Sequence, residues 1–152
     1  MREMLKRRGV PAVCILALAA LNAGCGKDGQ QPVYPVTGEV LFDGKPTPHA
    51  QVVLHPMNGT GIGEAIRPRG RVDTQGRFTL STYSDGDGAP AGDYAVTVEW
   101  WLSPASTSKR AGAEDLPPVN HLPKRYGAVQ TSGLRVRIEP GSNELPTIRL
   151  KK

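Results

Sequence analysis

The sequence predicts an all-β chain, a seven-stranded Greek-key-type β-sandwich preceded by an amino-terminal signal segment. Two observations carry the prediction. After residue 32, apolar and polar residues alternate with period two, the spacing of strands with one buried face. These runs are separated by turn residues in a chain with 18 Gly and 14 Pro, and no amphipathic helical pattern interrupts them.

The elements follow in order. Val36 to Phe42 places Val36, Gly38, Val40 and Phe42 on one face, with Thr37 and Glu39 on the other. Asp43-Gly44 predicts a tight hairpin, because glycine takes positive φ without steric cost. A second strand, Ala50 to His55, turns Val52 and Leu54 inward and ends at Pro56, which lacks an N–H. Met57 to Pro68 has no pattern and reads as a loop. A short strand, Arg69 to Asp73, leads through the turn Asp73-Thr74-Gln75-Gly76 into Arg77 to Tyr83, with Phe78, Leu80 and Thr82 inward. Ser84 to Gly92 is a loop. From Tyr94, residues Tyr94, Val96, Val98 and Trp100 alternate with Ala95, Thr97, Glu99 and Trp101. Leu102 to Ser132 has no period; Ser103 to Glu114 reads as mobile, and Leu116, Val119, Leu122 and Tyr126 are positioned to pin the remainder. Two last strands, Leu134 to Glu139 and Leu145 to Leu150, flank the turn Pro140-Gly141-Ser142-Asn143. Pro146 predicts that the final strand lies at a sheet edge.

The first residues have a different logic. Arg2, Lys6, Arg7 and Arg8 are followed by the uncharged, apolar run Val10 to Leu21. This is the layout of a helical secretory signal, too short for the roughly twenty apolar residues that cross a bilayer. The run Leu21-Asn22-Ala23-Gly24-Cys25 resembles the lipobox of a bacterial lipoprotein, with Asn22 standing where that pattern has an apolar residue. The resemblance implies cleavage between Gly24 and Cys25, acyl chains such as palmitate on Cys25, and a membrane partner held through that lipid. The expected organisation is a signal over 1–24, a lipidated cysteine and flexible tether over 25–32, and the β domain over 33–152. The protein would be exported, periplasmic or on the cell surface.

Charge and cysteines narrow the function. The net charge is +5, but residues 1–24 carry +3 of it, leaving +2 for the rest. No basic stripe is interleaved with aromatics, so nucleic acid is not an expected partner. The two cysteines are Cys14, inside the signal, and Cys25. The β domain therefore has no thiol for a disulfide, metal or nucleophile and rests on its core.

Two stretches resemble a known family. One is Val36-Thr37-Gly38-Glu39-Val40, then Asp43-Gly44-Lys45-Pro46, then Ala50-Gln51-Val52-Val53-Leu54. The other is Asp73-Thr74-Gln75-Gly76-Arg77-Phe78-Thr79-Leu80, followed by Pro90-Ala91-Gly92-Asp93-Tyr94-Ala95-Val96-Thr97-Val98. Together they are similar to a carboxypeptidase regulatory-like domain, and with the lipobox they resemble small exported lipoproteins of planctomycetes. The resemblance implies a seven-stranded transthyretin-like (prealbumin-like) sandwich and no particular activity. Physical reasons for the motif stand beside it. Gly76 permits a tight reversal, Phe78 supplies core area, and the Tyr94 hydroxyl can reach a backbone group while its ring is buried.

Candidate sites are few. His49 and His55 flank one strand, too far apart to chelate a metal together, and His121 is distant in sequence. Asp85-Gly86-Asp87-Gly88 offers carboxylates but lacks the further ligands of a calcium loop, and turn chemistry explains it. No Gly-x-Ser-x-Gly elbow, P-loop or His-Glu-x-x-His occurs. The carboxyl end, Ile148-Arg149-Leu150-Lys151-Lys152, lacks the Tyr-Arg-Gly-Ser of transthyretin-like hydroxyisourate hydrolases. No catalytic residue, metal or cofactor is expected. Trp100 and Trp101 must face opposite ways. One is expected in the core, and the other is expected to be covered by the 102–132 segment rather than exposed. Trp101 and Tyr126 are the candidate ligand-binding residues. The expected function is a non-catalytic structural or protein-interaction module at the envelope. The alternative is a peptide- or glycan-binding accessory protein, and a hydrolase ranks third.

Overall fold

The computed structural model describes residues 30–57, 66–103 and 117–152. The signal over 1–24, the cleavage site at Gly24 and Cys25, most of the tether and Leu116 lie outside the described residues. Gln31–Lys152 forms one compact unit. No helix among the described residues is long and apolar enough to cross a membrane.

The unit is nearly all β. Thirteen short strands run in order among the described residues: β1 (Val33–Tyr34), β2 (Val36–Phe42), β3 (Lys45–Pro46), β4 (Gln51–Pro56), β5 (Arg69–Arg71), β6 (Arg77–Thr79), β7 (Ala89–Pro90), β8 (Gly92–Glu99), β9 (Trp101–Leu102), β10 (Val119–Asn120), β11 (Leu134–Ile138), β12 (Asn143–Glu144) and β13 (Ile148–Leu150). A single 3-10 turn spans Lys124–Gly127. The strands expected from alternation correspond to β2, β4, β5, β6, β8 and β11, and the last one, Leu145 to Leu150, is shortened to β13. Its first three residues, Leu145-Pro146-Thr147, are outside the ladder, since proline has no N–H for it, and β12 precedes them at the end of the expected turn. The additional strands are two-residue pairings: β1 at the start of the domain, β3, β7 and β10 in segments read as turn or loop, and β9 at the end of the run that starts at Tyr94.

Two sheets hold the core. One is antiparallel in the order β11-β8-β4-β5. In the other, β2 pairs in parallel with β12 and β13, and antiparallel with β3 and β6. A bridge between Arg69 and Ser81 links β5 to the continuation of β6, so the β5–β6 hairpin joins the two sheets. Both sheets feed one apolar cluster. It includes Val36 and Val40 from β2, Val52 and Leu54 from β4, Val96 and Val98 from β8, Ile138 from β11 and Leu150 from β13.

The turns explain themselves. Asp43 and Gly44 both have positive φ, 48° and 78°, which is the two-residue hairpin geometry the Asp-Gly pair favours. Asp73 Oδ1 accepts the backbone N–H groups of Gln75 (2.8 Å) and Arg77 (2.9 Å), closing the turn before β6. Tyr94 is buried, and its hydroxyl donates to the Pro90 carbonyl at 2.9 Å. Thr47-Pro48-His49-Ala50 closes through an Ala50 N–H to Thr47 carbonyl bond, with His49 at φ 68°. Proline followed by positive φ marks a type II turn, in which the second residue would ordinarily be glycine.

Alternation sets Ala95 and Thr97 on the face opposite Tyr94, Val96 and Val98, and that face is buried as well: they are 2% and 6% exposed. Both are short side chains on a central strand. Their cross-strand neighbours, Val53 and His55 on β4 and Arg135 on β11, are longer, and His55 Nε2 lies 2.9 Å from Thr97 Oγ1.

Gly38 shows how closely β2 and β6 pack across their ladder, where Gly38 is in register with Phe78. A Cβ there would lie 2.6 Å from Phe78 Cζ, and the Phe78 ring is 3% exposed with no room to retreat. Gly38→Ala is expected to lower the unfolding free energy by about 1–3 kcal/mol through overpacking, measured by urea denaturation.

Candidate functional site

A wide concavity lies on the outer face of the β4–β5–β6 region. It has a volume of about 810 Å³, and its lining includes Arg69, Arg71, Arg77, Gln51, Thr79 and Tyr83. Strand periodicity builds it. Residues 69 and 71 share a face because they are two apart, while Gly70 between them points inward and is buried. Arg77 and Thr79 do the same on β6, with Phe78 between them in the core. Gly70 has to be glycine: a Cβ would lie 2.6 Å from the Thr79 carbonyl oxygen. Without that close approach the two arms of the hairpin could not carry the arginines side by side.

The rim is held by the loop after β6. The Asp87 carboxylate accepts backbone N–H groups from Thr82 (2.7 Å), Tyr83 (3.0 Å) and Ser84 (2.9 Å). Thr82 Oγ1 donates to the Gly88 carbonyl at 2.6 Å. Burial alone would raise the Asp87 pKa, but these N–H donors outweigh it and hold the carboxyl below its ordinary 3.8. Turn chemistry thus accounts for the Asp85-Gly86-Asp87-Gly88 run, since both Asp87 oxygens are engaged by the backbone. The Tyr83 hydroxyl accepts the Gln31 N–H at 3.0 Å, so the start of the compact unit is tied to this rim.

The histidines lie in three different settings. His49 lines the groove. His55 Nε2 is 2.9 Å from Thr97 Oγ1; burial and the nearby Arg67 charge lower its pKa below 6.5. His121 packs on the Trp100 ring, with centroids 5.6 Å apart. Among the described residues, no three His, Cys, Asp or Glu side chains converge as a metal site.

The two tryptophans divide as strand geometry demands, but one outcome differs from expectation. Trp100 packs against the core, and its indole N–H donates to the Pro48 carbonyl at 2.8 Å. In a type II turn that carbonyl faces away from the turn, which leaves it open to the indole. Trp101 was expected to be covered by the 102–132 segment, yet it is 52% exposed. The reason is its strand. β9 pairs only with β10 among the described residues, forming a two-stranded sheet separate from the two that enclose the core.

Tyr126 is set differently from Trp101. It lies on the 3-10 turn, 8% exposed. Its hydroxyl donates to the Lys151 carbonyl at 3.1 Å and accepts the Lys151 N–H at 3.0 Å, and Arg125 donates to it at 3.2 Å. Burial would raise its pKa; the bonds from Lys151 and Arg125 outweigh this and lower it. The ring thus fastens the carboxyl end of the chain, and Trp101 and Tyr126 do not form one exposed aromatic surface.

Sequence reasoning passed over the arginine groove. It looked for runs of like charge, and Arg69, Arg71 and Arg77 are not contiguous. The signal was present as outward positions of alternating strands, and it becomes visible only once β5 and β6 are known to be neighbours.

Comparison with known proteins adds little. No family model matches the chain, and no curated protein matches it. Among solved structures it is similar to a 9R-lipoxygenase from Cyanothece PCC8801, at 14% identity and a TM-score of 0.40 over 78% of this chain. The match spans 16% of that structure's length.

Removing the Asp87 carboxylate tests the rim. Asp87→Ala is expected to cost about 1–2 kcal/mol of stability at neutral pH, read by urea denaturation. Since the folded carboxyl titrates below 3.8, this contribution is complete above that value and is lost as pH falls through the folded pKa. The difference between wild type and variant should therefore shrink in strong acid.

Proposed function

We propose that this chain is an exported lipoprotein, anchored through Cys25, whose β domain is a non-catalytic structural or protein-interaction module at the cell envelope. The carrying observation is the order of the amino terminus: a basic start, a short apolar run, Gly24-Cys25, and a polar tether ahead of the compact unit. The use of polar side chains supports the module reading. Asp73, Asp87, Tyr94 and Tyr126 direct their polar atoms to the domain's own backbone, where they hold turns and ends in place. The finer architecture proposed is the transthyretin-like sandwich that the Asp73–Leu80 and Pro90–Val98 motifs resemble.

A second reading, a peptide- or glycan-binding accessory protein, is favoured by the exposure of Trp101. An indole on an open two-stranded sheet can stack on a sugar ring or cover an apolar side chain. Trp101→Ala is expected to abolish retention on a panel of cell-wall glycans and peptides with an unchanged melting temperature. Retention equal to wild type, or no retention of either protein, would count against this second reading.

The anchor is tested by metabolic labelling with an alkyne fatty acid. Wild type should incorporate label and fractionate with membranes, and Cys25→Ser should do neither. Equal labelling of both proteins sinks the anchor, and turnover of an ester, amide or glycoside by the purified chain sinks the non-catalytic assignment.

A further inference from the structure

We propose that the groove lined by Arg69, Arg71 and Arg77 is a binding site for an acidic polysaccharide, with the guanidinium groups engaging the carboxylates of successive uronic-acid sugars. The proposal is independent of the anchor at Cys25 and of Trp101, which does not line the groove.

Its charge is poised for a ligand. Among the described residues the ion pairs involve only Arg137, with Asp93 and Glu139. The three groove arginines have no carboxylate within pairing distance there. Arg69 and Arg71 are two residues apart on one strand, which places their Cα atoms roughly 7 Å apart. Arg77 continues the series on the opposite arm. Each guanidinium offers a planar fork of donors that fits a carboxylate with two parallel bonds. Two aspartates also line the groove, but they stand at its ends. Asp73 is committed to the backbone of Gln75 and Arg77, and Asp85 accepts the Ser81 hydroxyl at 3.4 Å. The middle of the groove is cationic.

The rest of the lining favours sugar over other polyanions. Gln51 and Thr79 supply a neutral amide and hydroxyl, which suit sugar hydroxyls, while the Ser81 and Thr82 hydroxyls are engaged within their own loop. An extended peptide that added a strand would need a free edge, but β4 has a partner on each side, and the edges that β5 and β6 turn to each other are bridged at Arg69 and Ser81. Arginine clusters also read acidic side-chain motifs, so the neutral part of the lining is what selects sugar, and polyglutamate is the competing ligand. Single-stranded nucleic acid needs a succession of aromatic platforms. This groove has only the partly exposed Tyr83 ring and the exposed His49 imidazole as platforms, because the Phe78 ring is 3% exposed. The volume, about 810 Å³, accommodates a few sugar units and falls among ligand sites, which run from about 300 to 1,000 Å³.

The test is titration calorimetry of the full chain in neutral detergent with polygalacturonate, dextran sulfate, polyglutamate and neutral dextran of matched length. Polygalacturonate should bind most tightly, neutral dextran should not bind, and affinity should fall as salt rises. Arg71→Gln should weaken binding by roughly tenfold, and the triple variant Arg69→Gln, Arg71→Gln, Arg77→Gln should abolish it at an unchanged melting temperature. Arg71→Lys keeps the charge and loses the fork, so it should fall between wild type and Arg71→Gln. Wild-type affinity in a folded triple variant overturns the site. Dextran sulfate or polyglutamate binding as tightly as polygalacturonate overturns the ligand, and no binding of polygalacturonate at low salt overturns both. None of these results bears on fatty-acid labelling at Cys25, so the two readings fail separately.

Discussion

Strand β2 is the element on which the rest of the domain depends. Its backbone is engaged on both sides: Thr37 is in register with Glu144 and with Thr79, and Leu41 with Arg149 and with Pro46. Val36 and Val40 point from it into the core and are fully buried. Between them Gly38 leaves the space that the Phe78 ring fills. The hairpin that carries Phe78 is also the link between the sheets. A single close approach, glycine against phenylalanine, thus sets the position of β6, and through it the position of β5 and the groove above them. With no cysteine in the described residues, this packing holds the domain without a disulfide there.

Local chemistry was legible in the sequence wherever a pattern was complete within a few residues. The Asp43-Gly44 hairpin, the Asp73 turn, the Tyr94 hydroxyl and the inward faces of β2, β4 and β8 all follow from residues close in the chain. What was not legible depends on neighbours distant in sequence. Alternation separates Ala95 and Thr97 from Val96 and Val98 but does not tell whether their face is covered. Only the register with β4 and β11 places the longer Val53, His55 and Arg135 beside them. The parallel pairing of β12 and β13 with β2 has no sequence signature either, because nothing in Ile148-Arg149-Leu150 distinguishes a parallel partner from an antiparallel one.

The candidate site residues divide along the same line. Tyr126 was singled out as an aromatic in a segment without period, where burial and exposure read alike in sequence. Its hydroxyl proves to be the link between the 3-10 turn and Lys151, a contact across 25 residues. Trp101 followed from alternation, since a strand must send adjacent tryptophans opposite ways. Its exposure followed from something alternation does not encode, the departure of β9 from the β8 ladder.

The arginines of the groove illustrate a last point about which surfaces can acquire function in such a fold. An outward position on a strand contributes little to the core, so its side chain can be chosen for charge without destabilising the packing beneath it. The inward alternates of the same strands are fixed: Gly70 by the Thr79 carbonyl, and Phe78 by the space at Gly38. Those two constraints hold the β5 and β6 backbones in place and thereby aim Arg69, Arg71 and Arg77 into one cavity. The polar groups of Asp87 and Tyr126 are in the opposite position, because their oxygens are consumed in closing a loop and fastening an end. A charged group whose partners lie in its own backbone serves the fold. A cluster of like charges held on a rigid face, with no ion pair among the described residues, has its attraction left for a ligand.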